Sequence, residues 1–229
     1  MRQYFKEFVT NMALNLYHLF VCEPEGDDLL RVMEMYRILG LPGAIGSMDV
    51  IHVVYGRCPK HLKHSCIGME GVPTLAFQCV VDHNKRIMYV SQPILGGTKD
   101  KTITCNDAFP VCVALGKYHD VEYVLYNNNG IPTLCTGVYF IVDGGYPKVS
   151  YLMYPKGYPS NIEYVKWSEW VESVRKDVEC TYGIRKARWR WLRSKIQTCL
   201  ISHFQHQYSI GDLWSEGKTA PDRGNLCPR

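Results

Sequence analysis

GSMDVIHVVY, residues 46–55, decides the fold, because its alternating β-branched residues predict a strand with an acidic residue, Asp49, near its start. Two further strands are predicted as a hairpin, TLAFQCVVD at 74–82 and RIMYVSQPIL at 86–95. The turn between them falls at residues 83–85, where polar residues interrupt the apolar pattern. The sheet therefore opens with three consecutive strands.

A helix, another strand and a long helical region follow the hairpin. Residues 100–116 are predicted to be helical. GVYFIVD is predicted as a strand that ends at Asp143, because two glycines and a proline follow it closely. One long helix, or two helices, is predicted from about residue 165 to residue 200 and contains Glu179. This order indicates a mixed α/β domain.

Two helices are predicted before the first strand. Apolar residues recur at helical spacing over 3–21, which predicts an amphipathic helix. A second helix begins after Asp27 or Asp28 as N-cap and ends at Gly40, with Pro42 just beyond as a stop signal.

Composition limits the classes of protein to consider. At 229 residues, 46% hydrophobic and 21% charged, the chain is long enough for one sizeable core. The N-terminus lacks the pattern of a signal peptide, and no apolar run reaches the roughly 18 to 20 residues that span a bilayer, so we expect a soluble, unsecreted protein. The ten cysteines are scattered without a CxxC motif, which favours reduced, buried thiols over a disulfide framework.

Asp49, Asp143 and Glu179 are the candidate catalytic and metal-binding residues, since they are carboxylates contributed by separate elements. Mg²⁺ and Mn²⁺ prefer oxygen ligands. Two such ions about 3.5 to 4 Å apart can activate an oxygen nucleophile and stabilise the leaving oxygen of a phosphodiester. Glu172 lies seven residues before Glu179 on nearly the same helix face, so from the residues alone either glutamate could be the third ligand.

A basic segment follows Glu179. RKARWRWLRSK, residues 185–195, carries six basic residues and no acidic one, whereas the net charge of the whole chain is +4. This favours a polyanionic partner, although a solvated helix face would have the same composition. Lys186 and Arg190 are four residues apart and share the face that includes Glu179, so they are candidate contacts to a phosphate backbone.

Six segments of the chain match the motifs of one known family, in that family's order. They are GAIGSMD with the following His52, RCPK at 57–60, GVPTLAFQCVVDHNKRIMYV, GGTKDKTITCNDAF, VDGGYP and RKDVECTYGIRKARWRWLR. The set resembles the PIF/Harbinger-type DDE transposases, including the plant transposon protein group. The resemblance runs from about Leu41 to Arg193 and implies a ribonuclease-H-like fold, a mixed sheet flanked by helices.

The resemblance also implies roles for the acidic residues. Asp49 would bridge two Mg²⁺ or Mn²⁺ ions, Asp143 would hold one and Glu179, selected over Glu172, would hold the other. We therefore expect a metal-dependent DNA endonuclease and strand-transfer enzyme. By the same resemblance its partners are DNA, a second copy in a homodimer and a separate DNA-binding helper protein, and its location is the nucleus.

The domain organisation follows from the same comparison. We expect an N-terminal helical segment over 1–40, a ribonuclease-H-like DDE catalytic domain over 41–200 and an irregular C-terminal tail over 201–229. Short ends, and Cys180 where the family usually has a basic residue, keep an alternative open. In that alternative the chain is a domesticated or decayed derivative that binds DNA or protein without cutting.

The loop after the first strand supports two further hypotheses. Four zinc-type ligands occur within nine residues, Cys58, His61, His64 and Cys66, although this spacing is tighter than that of an ordinary zinc finger. The alternative is a polar loop, which the resemblance places beside the active site and in which Lys60 and Lys63 would touch phosphate.

Asp100 also has two interpretations. It precedes the predicted helix at 100–116, so it is predicted as the N-cap of that helix, with support of the active site as the other role.

Overall fold

The computed structural model describes residues 17–127, 129–157 and 161–188, together with Tyr4, Glu7, Phe8, Asn11, Asn15, Lys195 and Ile196. The predictions for Arg190 and for the tail over 201–229 lie outside the described residues. The helices are α1 Tyr17–Phe20, α2 Gly26–Ile38, α3 Lys63–Cys66, α4 Asp100–Asn106, α5 Ala108–Ala114, α6 Ile162–Arg175 and α7 Asp177–Arg188. The strands are β1 Ala44–Val54, β2 Thr74–Val81, β3 Ile87–Val90, β4 Ile94–Leu95, β5 Glu122–Tyr126, β6 Pro132–Thr136, β7 Tyr139–Ile141 and β8 Leu152–Met153.

The main sheet is built around β1. It has the order β3-β2-β1-β7-β8, and β4 also pairs with β2. The pairs β1–β2 and β2–β3 are antiparallel, whereas β1–β7 and β7–β8 are parallel. The remaining strands, β5 and β6, form a separate hairpin. A three-stranded antiparallel half continued by parallel strands is consistent with the ribonuclease-H-like arrangement, so the predicted fold class is confirmed.

Helices cover both faces of this sheet, because successive residues of a strand point to opposite sides. On one face, the Gln78 side chain of β2 hydrogen-bonds Asp107 and Thr104, which belong to the α4–α5 region. On the other face, the next residue of β2, Cys79, packs against Val178 of α7. The sheet thus holds α7, the helix that carries Glu179, against β1 and β2.

The helix before the first strand belongs to the same core as the sheet. The buried residues of α2 join the main hydrophobic cluster with β1 and β7, and they are Leu29, Val32, Met33 and Tyr36. Trp170 Nε1 of α6 donates to the backbone oxygen of Leu39 at 3.0 Å, which joins α6 to the end of α2. The N-cap of α2 is Glu25, two residues before the earlier of the two predicted N-caps. The domain boundary at residue 40 stays a prediction.

The first predicted long helix is divided in two, and the second helical region, predicted as one helix or two, forms two. Residues 100–116 form α4 and α5, because Asp107 between them is extended and Pro110 has no N–H with which to continue the hydrogen bonds of α4. The second long region forms α6 and α7, which meet at Lys176. None of the helices in the described part of the chain is long and apolar enough to cross a bilayer.

The cysteines differ from the prediction of reduced, buried thiols. Cys66 and Cys79 are free and buried, as predicted. The prediction of a reduced thiol is wrong for Cys105, which is bonded in a disulfide. The prediction of burial is wrong for three free cysteines that are exposed, Cys22, Cys112 and Cys180.

Candidate functional site

Asp49 lies at the centre of β1 and is half-buried. Its Oδ1 accepts a hydrogen bond from the backbone N–H of Val50 at 2.8 Å. Burial raises the pKa of Asp49 to about 6, and the negative charges of Asp143 and Glu179 add to the rise. The carboxylate of Asp49 therefore lies where negative charge is concentrated and partly shielded from water.

Asp143 lies beside Asp49 because β1 and β7 run parallel. Ser47 of β1 is paired with Ile141, the last residue of β7, and Asp49 and Asp143 each follow two residues later. The predicted strand therefore ends two residues before Asp143, which stands in the following turn. In that turn the backbone N–H of Gly145 donates to Asp143 Oδ1 at 2.8 Å and fixes the carboxylate.

Glu179 approaches from the other side of Asp49, on α7. It lies in the first turn of that helix, and the preceding residue, Val178, packs on the sheet beside Cys79. Its charge is close enough to contribute to the raised pKa of Asp49. The structure thus brings the three predicted acids into electrostatic contact around Asp49.

Arg175, which the sequence did not reveal as a site residue, lies among these acids. It is the last residue of α6, and its side chain is only 10% exposed. Its Nε and Nη2 donate to the two carboxylate oxygens of Glu172 at 3.0 and 2.5 Å. Its Nη1 donates to Glu179 Oε1 at 2.8 Å and lies 4.0 Å from Asp49 Oδ2. One guanidinium thus contacts three carboxylates.

An open groove of about 470 Å³ runs along Asp49 and α7. Its lining residues come from β1, β2, the loop before β2 and one side of α7, and they are Asp49, Val50, Ile51, His52, Val54, Glu70, Thr74, Val178, Glu179, Tyr182, Gly183 and Lys186. Glu179 lines the groove and Glu172 does not, which favours Glu179 as the third acid. Asp143 lies on the other side of Asp49 and is not part of the lining.

The predicted DNA contacts are not all in this groove. Lys186 lines it, seven residues after Glu179 on α7. Lys60 and Lys63 are exposed but do not line it, and Arg190 is outside the described residues.

As the side chains lie, no three His, Cys, Asp or Glu residues in the described part of the chain form a group that could hold a metal ion. In this arrangement Glu179 accepts a hydrogen bond from Arg175. The chemistry of the donors nevertheless fits Mg²⁺ or Mn²⁺, because three carboxylates offer oxygen ligands. The raised pKa of Asp49 fits too, since a bound cation would relieve the repulsion that contributes to it.

Residues 18–206 match a protein-family model described as plant transposon protein. The chain belongs to this family. The matched range contains all three candidate acids and extends from α1 through α7. No curated protein and no solved structure gives a significant match. Membership indicates that the chain is transposon-derived and transposase-like in origin.

Asp100 is not the N-cap of α4, so that prediction is wrong. The N-cap position is taken by Lys99, and no side chain caps the helix. Burial raises the pKa of Asp100, the nearby charge of Asp143 adds to the rise and His52 opposes it. The hydroxyl of Tyr146 is also buried here and has no hydrogen-bond partner among the described residues. No spacing in the sequence could reveal this grouping, because it depends on how α4 packs on the sheet.

Asp177 fastens the start of α7 to the turn between β2 and β3. The carboxylate of Asp177 is buried, contacts His83 Nδ1 at 2.7 Å and forms an ion pair with Lys85 Nζ. Lys85 has a left-handed backbone with φ of 66°, which turns the chain back toward β3. Because Asp177 is two residues before Glu179, this ion-pair cluster positions the third acid relative to the sheet.

The four predicted zinc ligands are not brought together. Cys66 is buried and its thiol contacts that of Cys58, whereas His61 and His64 are exposed. Residues 58–66 are all described, and they contain no group of three donors that could hold a metal ion. The geometry therefore gives the zinc-module hypothesis no support.

Proposed function

We propose that the protein is a metal-dependent DNA endonuclease and strand-transfer enzyme of PIF/Harbinger type. The observation that carries the proposal is the parallel register of β1 and β7, which brings Asp143 beside Asp49. Glu179 on α7 supplies a third carboxylate on the opposite side of Asp49. Family membership supports the same conclusion, because the family is transposon-derived.

Each acid would have a distinct mechanical role. Asp49 and Asp143 are short side chains fixed by hydrogen bonds from Val50 and Gly145, so they form a rigid pair. Glu179 has a longer side chain that is about half exposed, and in this proposal it would move from Arg175 toward the other two acids. Together the three would hold two Mg²⁺ or Mn²⁺ ions, which when bound would activate the attacking oxygen and stabilise the leaving oxygen of a phosphodiester.

DNA would lie along the groove, with α7 contacting its backbone. Lys186 is the described basic residue that lines the groove, and we propose Lys60, Lys63 and Arg190 as outer phosphate contacts. The homodimer, the separate DNA-binding helper protein and the nuclear location are part of the same proposal. A 3′-hydroxyl released by cleavage would remain in the groove for attack on target DNA.

DNA binding can be tested by the salt dependence of affinity for a labelled duplex. Lys186→Gln is expected to weaken binding for all sequences and to reduce the slope of log K against log salt by about 1, because one phosphate contact is lost. Lys166→Gln, an exposed lysine of α6 outside the groove, is the control and should leave the slope unchanged. A slope unaffected by Lys186→Gln would remove α7 from the DNA interface.

Cleavage can be tested by nicking of end-labelled DNA in Mn²⁺ or Mg²⁺. Asp49→Asn, Asp143→Asn and Glu179→Gln keep the side-chain shape and are each expected to abolish nicking, whereas Glu169→Gln, an exposed carboxylate of α6, should not. Equal nicking by the parent and the three site variants would refute the catalytic proposal. Thermal melts of every variant separate loss of chemistry from loss of fold.

A second candidate function is favoured by one contact. The hydrogen bond from Arg175 to Glu179 occupies the third acid, as it would in a derivative that binds DNA without cutting it. Such a protein would bind duplex DNA with Lys186-dependent salt sensitivity and would show no metal-dependent nicking. The two assays together therefore distinguish an enzyme from a decayed relative.

A further inference from the structure

Arg175 holds its three acidic neighbours unequally. Two of its nitrogens form a paired contact with Glu172, at 3.0 and 2.5 Å. The third, Nη1, is shared between Glu179 at 2.8 Å and Asp49 at 4.0 Å. The two hydrogen bonds to Glu172 can therefore persist when the hydrogen bond to Glu179 is broken, because they use different nitrogens.

The burial of Arg175 explains why its contact with Glu172 should be kept. The guanidinium is largely buried at the junction of α6 and α7, one helical turn before Glu179. A buried arginine without carboxylate partners is costly, so Glu172 keeps the cation in place whatever Glu179 does. The cation beside Asp49 is thus a permanent part of the fold.

We propose that Arg175 is a positioning residue that holds Glu179 next to Asp49 before metal arrives and competes with the divalent ion for that carboxylate. The inference rests on the proposed metal site and adds a regulatory contact to it. Metal binding then requires that Glu179 exchange the Nη1 of Arg175 for the ion, while Glu172 retains the guanidinium.

The competition predicts opposite effects for two neighbouring substitutions. Arg175→Gln removes the competing cation, so Mn²⁺ should bind roughly tenfold more tightly, a change that corresponds to the loss of one charge-assisted hydrogen bond. Glu172→Gln removes the anchor and leaves the guanidinium to Glu179 and Asp49, so Mn²⁺ should bind severalfold more weakly.

The experiment measures Mn²⁺ affinity by titration calorimetry and the melting temperature in EDTA and in Mn²⁺. Without metal, Arg175→Gln should melt below the parent, because Glu172 and Glu179 repel each other, and Mn²⁺ should raise its melting temperature more than that of the parent. Lys176→Gln is the matched control, since it removes the same charge from the next, exposed residue. It should change the Mn²⁺ affinity by less than about twofold.

Several outcomes would overturn the inference. Unchanged or weaker Mn²⁺ binding by Arg175→Gln, or equal tightening by Lys176→Gln, would show that Arg175 does not compete specifically for Glu179. If Arg175→Gln fails to fold, Arg175→Lys keeps the charge without the forked geometry and should tighten Mn²⁺ binding to a smaller degree; weaker binding would refute the inference. A parent protein that binds no Mn²⁺ would overturn the metal site itself, and with it this inference.

Discussion

Asp49→Asn should make the metal-free protein more stable at pH 8, and this is the most direct test of the electrostatics of the site. Burial raises the pKa of Asp49 from 3.8 to about 6. A carboxyl whose pKa is raised in the folded state contributes stability below about pH 4 and loses that contribution as the pH rises through about 6. The asparagine has no charge to lose and retains an oxygen that accepts the N–H of Val50.

The magnitude follows from the size of the pKa change. A rise of about two pKa units corresponds to ~3 kcal/mol at 1.4 kcal/mol per unit. Because the side chain of Asp49 remains 23% exposed, solvent screening reduces this, and we expect a gain of ~1 to 2 kcal/mol at pH 8. At pH 4 the parent carboxyl is largely protonated in the folded state, so the two proteins should be nearly equal in stability.

The assay is urea unfolding in EDTA at pH 4, 6 and 8, with the free energy of unfolding extrapolated to water. Asp177→Asn is the contrasting variant, because Asp177 is paired with His83 and Lys85. Its loss should destabilise the protein at pH 8 by roughly 3 kcal/mol. If the gain in the free energy of unfolding of Asp49→Asn does not grow with pH, or if this variant is less stable than the parent at pH 8, the negative charge of Asp49 does not destabilise the fold.

Two further predictions concern groups that position the fold and the site. Tyr89→Phe removes a hydrogen bond of 2.6 Å from the tyrosine hydroxyl to the carboxylate of Asp107. Burial raises the pKa of Asp107 to about 6, so this carboxyl is charged above pH 6 and largely neutral at pH 4. The substitution should therefore lower the free energy of unfolding by ~2 kcal/mol above pH 6 and by less at pH 4. Gly145→Ala would put a Cβ 3.0 Å from Asp143 Oδ1, so the carboxylate must move, and calorimetry should show Mn²⁺ affinity reduced by roughly tenfold.

Each of these predictions has a matched control. Tyr118→Phe removes a hydrogen bond of 3.0 Å to the neutral backbone oxygen of Pro24, so its cost should not vary with pH. Gly144→Ala adds a Cβ that meets nothing within 4 Å, so Mn²⁺ affinity should be retained. A pH-independent cost for Tyr89→Phe, or equal losses of affinity at the two glycines, would contradict the respective arguments.

The strands that carry the site, β1 and β7, could be predicted from their local patterns of apolar and polar residues. Alternating β-branched residues identified β1, and an apolar run followed by Gly144 and Gly145 identified β7 and the turn that contains Asp143. Asp49 and Asp143 then meet because of the sheet topology that the resemblance implied. The division at Pro110 could also have been predicted, because a proline inside a single helix over 100–116 would remove a backbone hydrogen bond and break the helix.

The cations and the long-range polar contacts could not be predicted in the same way. Arg175 contacts Glu179 within one helical turn, but its contact with Asp49 depends on how the α6–α7 junction packs on β1. The proximity of Asp100 to Asp143 depends on how α4 packs on the sheet. These contacts join residues far apart in the chain, and no periodicity encodes them.

The ion-pair cluster at the β2–β3 turn has a consequence for genetics. Because His83 and Lys85 hold Asp177 at the start of α7, a substitution in that turn would displace Glu179 without altering any of the three acids. A random-mutagenesis screen for loss of the proposed DNA cleavage should therefore recover alleles in the turn alongside alleles of the acids. Second-site suppressors of the turn alleles should map to α7.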